Sequence, residues 1–221
     1  MAIRQRAIQA EDKEERHQGL LDAAERLLLR APGAMPSVAD VADEAGLAKG
    51  TVYLYFPSKE EMLLALHERN VGGFFQALIA LLEGKAPVDF GRVLALTHEH
   101  MVEPPLFLPL AARCFGLMGQ SVPAEAAIAF KQRMAERLMA AGAGLERHFP
   151  DLKAGGGGVA LLRHSYALII GLWQMSAESA GKICPMAPGP GELPSVFSYS
   201  YAEELDRGLL ALWNGTVGGP R

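Results

Sequence analysis

Apolar residues recur along this chain every three or four positions, and nowhere do apolar and polar residues alternate long enough to build a strand. The pattern predicts an all-α protein. Leu20, Leu21, Ala24, Leu27 and Leu28 form the apolar face of a first helix. Val38, Val41, Ala42 and Ala45 give a second, shorter helix one small apolar stripe. Ser37 stands three residues before Asp40, the spacing of a capping box, and Gly46 can adopt the positive φ that ends a helix. A third short helix starts near Lys49, turns Val52 and Phe56 inward, and ends before Pro57, because proline disfavours α geometry in its predecessor. Ser58 and Glu61 repeat the capping spacing. Met62, Leu63, Leu66, Asn70, Phe74, Leu78, Leu81 and Leu82 then carry a fourth helix for about seven turns, until Gly84 and Pro87 interrupt it.

Further helices are expected over 90–101, 107–118, 124–149, 159–177 and 198–213, each bounded by proline or glycine. The glycine run 155–158 reads as a flexible linker that lets the last helices dock as a separate pair. Residues 184–194 read as a long loop rich in proline and glycine. The organisation is a three-helix head over 1–60 and a larger helical body over 61–221. The long fourth helix joins them as a rigid rod.

Composition narrows the setting. At 221 residues with 50% hydrophobic content, the chain can hold a small head and a sizeable core. Its formal net charge of −4 is not that of a general nucleic-acid coat, so any DNA affinity must come from local placement of charge. Arg4 and Arg6, in a start without acids, suit an arm reaching phosphates or the minor groove, and equally an ordinary unstructured terminus. Glu11, Asp12, Glu14 and Glu15 read as the acidic first turn of helix one. Cys114 and Cys184, the only cysteines, form neither a disulfide framework nor a metal spacing, which points to a reducing cytoplasm. No secretory signal is recognisable, and the most apolar stretch, 166–173, is too short to span a bilayer.

Two short helices joined by a turn around a glycine form the unit whose second helix enters the DNA major groove. With Val52 and Phe56 facing the core, Lys49, Gly50, Thr51, Tyr53 and either Leu54 or Tyr55 point outward. No carboxylate lies between Gly46 and Lys59, and the charges there, Lys49 and Lys59, attract phosphates. Tyr53 and Tyr55 also suit ordinary packing. The run GLAKGTVYLYFPSKEEML resembles the signature of the tetracycline-repressor (TetR) family of bacterial transcriptional regulators, and LLDAAERLLLRAPGAMPSVADVADEAG resembles the helices before it. The resemblance covers residues 16–66. It implies that Ser37, Thr51, Tyr53, Tyr55 and Lys59 touch DNA, mostly at phosphates, with Lys49, Gly50 and Leu54 near base edges. Two positions depart from the family. Ala48 stands where serine or threonine is usual, which removes a helix cap worth about 1 kcal/mol. Leu54 stands where a polar residue is common, and its apolar side chain suits a thymine methyl.

The resemblance also implies a homodimer on a palindromic, double-stranded DNA operator, a small-molecule effector bound in the body, and no cofactor. In the family the last two helices pair with their copies in a second subunit. Leu161, Ser165, Leu168, Leu172 and Met175 on one helix, and Tyr201, Leu205, Leu209 and Leu212 on the other, offer stripes for that pairing; a stripe alone is also compatible with an intrachain core, and the resemblance favours the dimer. Phe74, His98, Met101, Phe107, Phe115, Met118, Met134 and His164 are candidates to line an effector pocket, although each taken singly suits plain core better. His98 and His100 point about 200° apart on a helix, which argues against a metal site. Glu99 and Glu103 share a helix face without a ligating partner and read as surface. The expected function is a ligand-responsive transcriptional regulator, most often a repressor in this family, and not an enzyme. Neither a phosphate loop, an HExxH pair nor a GxSxG elbow is present, and Gly155 to Gly158 lacks the lysine a phosphate loop needs. The alternative is a helical scaffold or small-molecule-binding protein without specific DNA binding.

Overall fold

A computed structural model describes residues 2–31, 34–117, 121–155, 157–176 and 199–217, without the side chains of 2–11, Phe115 and 153–155. Met118, Cys184 and the 184–194 loop lie outside the described residues. The described chain is helices and connecting turns: α1 (Ala2–Arg30), α2 (Val38–Ala45), α3 (Lys49–Tyr53), α4 (Lys59–Glu83), α5 (Phe90–Thr97), α6 (Phe107–Leu117), α7 (Ala124–His148), α8 (Gly157–Met175) and α9 (Tyr201–Val217). A π-helical turn, His98–Val102, follows α5, and a 3-10 turn, Pro150–Gly155, precedes α8. Among the described residues no helix is long and apolar enough to cross a membrane. The N-terminal segment differs from expectation. Arg4 and Arg6 lie on α1 itself rather than on an extended arm, and the acids from Glu11 to Glu15 fall inside that helix, not in its first turn.

Local signals set the head. Ser37 Oγ accepts from the Asp40 amide at 3.2 Å, while the Asp40 carboxylate accepts from the Ser37 amide at 2.8 Å, a complete capping box at the start of α2. Those bonds hold the exposed Asp40 carboxyl below its ordinary range. Gly46 ends α2 at φ 66°, a left-handed conformation that glycine adopts without a Cβ penalty. Ser58 caps α4 by accepting from the Glu61 amide at 3.1 Å. The Glu61 carboxylate takes the Ser58 hydroxyl, so the reciprocal half of this cap uses a side chain rather than the backbone. Val52 and Phe56 are buried against Leu20, Leu21 and Ala24 of α1 and Val41 of α2 in one apolar cluster.

α4 belongs to two cores. Met62, Leu63, Leu64 and Leu66 pack into the head cluster, and Val71, Phe74, Phe75, Leu78 and Leu82 into the body cluster. α4 runs unbroken from Lys59 to Glu83, as the expected rod requires. The change of core falls between Leu66 and Val71, and the three polar residues after Leu66 each tie α4 to a different helix. His67 Nε2 lies 3.0 Å from the Tyr166 hydroxyl on α8. The Glu68 carboxylate accepts two bonds of 2.6 Å from Arg133 on α7, with Arg137 3.3 Å away. Arg69 donates to Asp22 at 2.6 Å and Glu25 at 2.8 Å on α1. The head cluster also takes in Leu106, Leu110 and Cys114 at α6 and Phe130 of α7, so head and body share packing beyond the rod.

The glycine run is not a linker. Gly157 and Gly158 begin α8, and Gly158 is pressed against α7: a Cβ placed on it would stand 2.8 Å from the Gly142 Cα and meet the Gly142 carbonyl. A Cβ on Gly142 would in turn stand 2.7 Å from Val159 Cγ2. Glu146 of α7 accepts from the Gly158 amide at 2.9 Å and caps α8. Small residues therefore let α7 and α8 cross almost backbone to backbone, and the run serves packing. Gly158→Val should destabilise the fold by about 1–3 kcal/mol through overpacking. Urea denaturation should show this as a lower midpoint with an unchanged slope.

Candidate nucleic-acid interface and ligand cavity

α3 presents one outward face. Lys49 and Gly50 are exposed, Tyr53 is 45% exposed and Leu54, which ends the helix, is 81% exposed. The Lys49 ammonium sits 5.9 Å from the centre of the Tyr53 ring, a cation–π contact that holds both side chains on the same surface. Thr51 and Tyr55 are half-buried, and the Tyr55 ring packs against the head core. Ser37 and Lys59 are exposed at the starts of α2 and α4, the helices that precede and follow α3 along the chain. The Ser37 oxygen accepts its cap bond, which leaves its O–H free to donate outward. Ala48 precedes α3 without a side-chain cap, as its methyl group requires. Glu44 of α2 and Glu60 of α4, acids of the helices next to α3, are each paired with a cation. Arg30 and Arg26 both bind the Glu44 carboxylate and hold its pKa below the ordinary value. Glu60 stands 3.9 Å from Lys59. A donor-rich surface without a free carboxylate between residues 46 and 59 is suited to a polyanion.

The body holds a cavity of ≈ 410 Å³ between α4, α5, α7, α8 and α9, within the roughly 300–1,000 Å³ range of small-molecule sites. Its wall is mostly apolar, with Phe74, Phe75, Met101, Met134, Leu162 and Ile169 among its members, and His67, Thr97, Ser165, Tyr166, Lys131 and Arg163 as polar or charged groups. The wall reaches the head through His67 and through Cys114 and Phe130, which also belong to the head cluster. Burial drives His67 down to about 4 despite the opposing charge of Glu68, so it is neutral at pH 7. Its Nδ1 is buried without a hydrogen-bond partner. Burial pushes the Tyr166 phenol up, and pushes the Cys114 thiol up to about 12, so both stay protonated. Cys114 Sγ sits 3.7 Å from the Leu63 carbonyl.

Of the residues expected at an effector site, Phe74, Met101 and Met134 line this cavity. His98 does not: its Nε2 lies 2.6 Å from the Asp206 carboxylate and fastens the π-helical turn to α9. Phe107 is fully buried in the body core, with its ring 5.7 Å from that of His67, and His164 is exposed on the outer side of α8. The Phe115 side chain and Met118 lie outside the described residues. The sequence reading missed His67 and Tyr166. His67 falls in register with Leu63 and Val71, a polar residue inside an apolar stripe, and that was the available signal. The same register turns Val71 inward and leaves Asn70, expected in the stripe, half-buried.

The stripes expected to face a second subunit are turned inward. Leu161, Tyr201, Leu205 and Leu209 are at most 2% exposed, in the chain's own core. Ser165 accepts from Trp213 Nε1 at 3.3 Å and lines the cavity. Leu168 lies over Gly208 of α9, and Leu172 and Leu212 pack at the edge of the body core. Met175 alone among those nine positions is largely exposed, at 59%. The outer faces carry Ala167, Gly171 and Met175 on α8, and Leu210 and Ala211 on α9. α8 is apolar nearly all round, so a single stripe could not tell its inner face from its outer one.

A helix-turn-helix head joined through one long helix to a cavity-bearing helical body defines a class of DNA-binding, ligand-sensing proteins. Comparison with known proteins agrees at both ends. Residues 20–66 match the family model described as "Bacterial regulatory proteins, tetR family", and residues 68–215 match "Tetracyclin repressor-like, C-terminal domain". The chain belongs to the tetR family of bacterial regulatory proteins. It is 43% identical over 76 residues to the HTH-type transcriptional regulator EthR of Mycobacterium tuberculosis, covering 34% of this chain and 35% of that protein. It is 31% identical over 74 residues to a fatty acid metabolism regulator protein of Bacillus subtilis, covering 34% of this chain and 38% of that one. The matches thus span about a third of these relatives' lengths.

Two outcomes check this geometry. Ser37→Ala should lose about 1 kcal/mol of stability by removing the α2 cap, measurable by chemical denaturation. His67 has a folded-state pKa below its unfolded value, so its contribution is complete above pH 6.5 and is lost as pH falls toward 4. The full effect is on the order of 3 kcal/mol. Stability measured across that window should fall less steeply in His67→Phe than in the unchanged protein.

Proposed function

We propose that this protein is a ligand-responsive transcriptional regulator, acting as a repressor, that binds a palindromic operator as a homodimer and is released by a small, largely apolar effector. The observation that carries the proposal is the outward face of α3, bounded by Ser37 and Lys59, on a helix-turn-helix whose core continues through α4 into the cavity wall. Lys49, Gly50 and Leu54 face the base edges. Ser37, Thr51, Tyr53, Tyr55 and Lys59 bind mostly phosphate. Phosphate contacts fix register and base contacts fix sequence, so the two groups have different effects when removed.

The two heads of a dimer must match the separation of two half-sites. Ala167, Gly171 and Met175 of α8 and Leu210 and Ala211 of α9, all turned away from the chain's own core, are the surface that meets the second subunit. α4 runs 25 residues, about 38 Å at a helical rise of 1.5 Å per residue. Its middle, from His67 to Phe75, forms cavity wall, and its start seats the head. An effector that requires a wider cavity displaces that middle portion and carries the head with it. Release follows only if the effector prefers the displaced state, because equal affinity for both states shifts no population. The chemistry of the head and cavity calls for no catalytic step.

Selection against genomic fragments at fixed, near-physiological salt should enrich an imperfect palindrome. Tyr53→Ala and Lys59→Ala should each lower affinity for it at least about tenfold while leaving the dimer intact. An unchanged affinity in both variants would remove the assigned contact surface. If the folded protein enriched no sequence, the scaffold alternative would gain. Leu210→Arg should shift the protein toward monomer in sedimentation equilibrium, and a dimer unmoved by it would place the interface elsewhere.

A further inference from the structure

The cavity wall contains two charged side chains, Lys131 of α7 and Arg163 of α8, and no carboxylate. Those two and Ala135 are its exposed members, so the opening lies between α7 and α8 with the cations at its edge. Neither cation makes an ion pair or hydrogen bond among the described residues. This contrasts with neighbouring Arg133 and Arg137, which are held by Glu68. α8 has no acidic residue over Gly157–Met175. On α7, Glu146 is bound to the Gly158 amide, Glu136 acts on Arg133, and neither Glu136 nor Glu125 lines the cavity. An opening with two unengaged cations leads into a deep apolar interior, where an anion would be left unpaired.

We infer, building on the effector reading above, that the cavity takes an anionic amphiphile: an apolar chain or ring system in the interior, with a carboxylate or phosphate head held at the opening by Lys131 and Arg163. An arginine fork bonds either head through two parallel N–H donors, and lysine adds a compact charge. The head stays partly hydrated at the opening, which spares the cost of burying it. The apolar body displaces water from a wall of leucine, phenylalanine and methionine. A neutral analogue of equal length keeps the second contribution and loses the first.

The test uses calorimetry on the full chain with decanoate, decyl phosphate and decanol as probes. At least one anion should bind about tenfold or more tightly than decanol, as charge-assisted bonds allow, and the preferred anion identifies the head. In Lys131→Gln/Arg163→Gln that preference should collapse, with decanol affinity unchanged. Equal binding of anions and decanol, or a preference that survives in the double variant, overturns the inference and leaves the effector cavity standing. Absence of binding by all three probes overturns this inference together with the apolar effector reading. Loss of decanol binding in the double variant would assign the cations to shaping the cavity and overturn their role as anion ligands.

Discussion

Everything in this molecule depends on α4 being held from both ends by apolar burial and in its middle by polar contacts. The head cluster grips Met62 to Leu66, and the body cluster grips Val71 to Leu82. Each fully buried leucine or phenylalanine is worth about 1.5–3 kcal/mol, so both ends are fixed far more strongly than the middle. Between them His67, Glu68 and Arg69 contact α8, α7 and α1 in succession. The exposed ion pairs contribute little stability individually. Their direction matters more, because three consecutive side chains report three different helices to a single rod.

The cavity borders the rod from its polar middle at His67 into the first part of its body-facing stripe. His67, Val71, Phe74 and Phe75 are at once core of α4 and wall of the cavity. Packed interiors do not deform continuously, so a guest that fails to fit shifts whole elements rather than single atoms. The near-contact of α7 and α8 at Gly142 and Gly158 fixes one end of the body, and α6 packs directly into the head cluster. In the proposed mechanism a displacement of α4 has two routes to the head, along the rod and across α6.

Local chemistry made much of the head legible from the sequence. Ser37 with Asp40, Gly46, and Ser58 with Glu61 mark helix ends through hydrogen bonds or φ preferences that act within a few residues. The long helices of the body appear at nearly the expected positions for the same reason: 3.6-residue periodicity is a local property. Where several faces of a helix are apolar, that signal fails. α8 shows the failure, since Leu161 and Leu168 share a stripe with Ser165, and only packing decides that this stripe faces inward. Gly155 to Gly158 shows another, because a glycine run means flexibility or close approach depending on whether a second helix stands against it.

The sequence by itself determined an all-α chain, the three-helix head with its outward residues Lys49, Gly50, Tyr53 and Leu54, the long fourth helix and the membership of residues 16–66 in a recognisable regulator pattern. Only the tertiary structure decided which of the many apolar and polar side chains enclose the cavity, Lys131 and Arg163 among them, and that His67 meets Tyr166 from 99 positions away. The division follows from range. Caps, turns and periodicity are written within a few bonds of one another, whereas a cavity is the space left when distant helices cross, and its shape is fixed by contacts that no single segment contains.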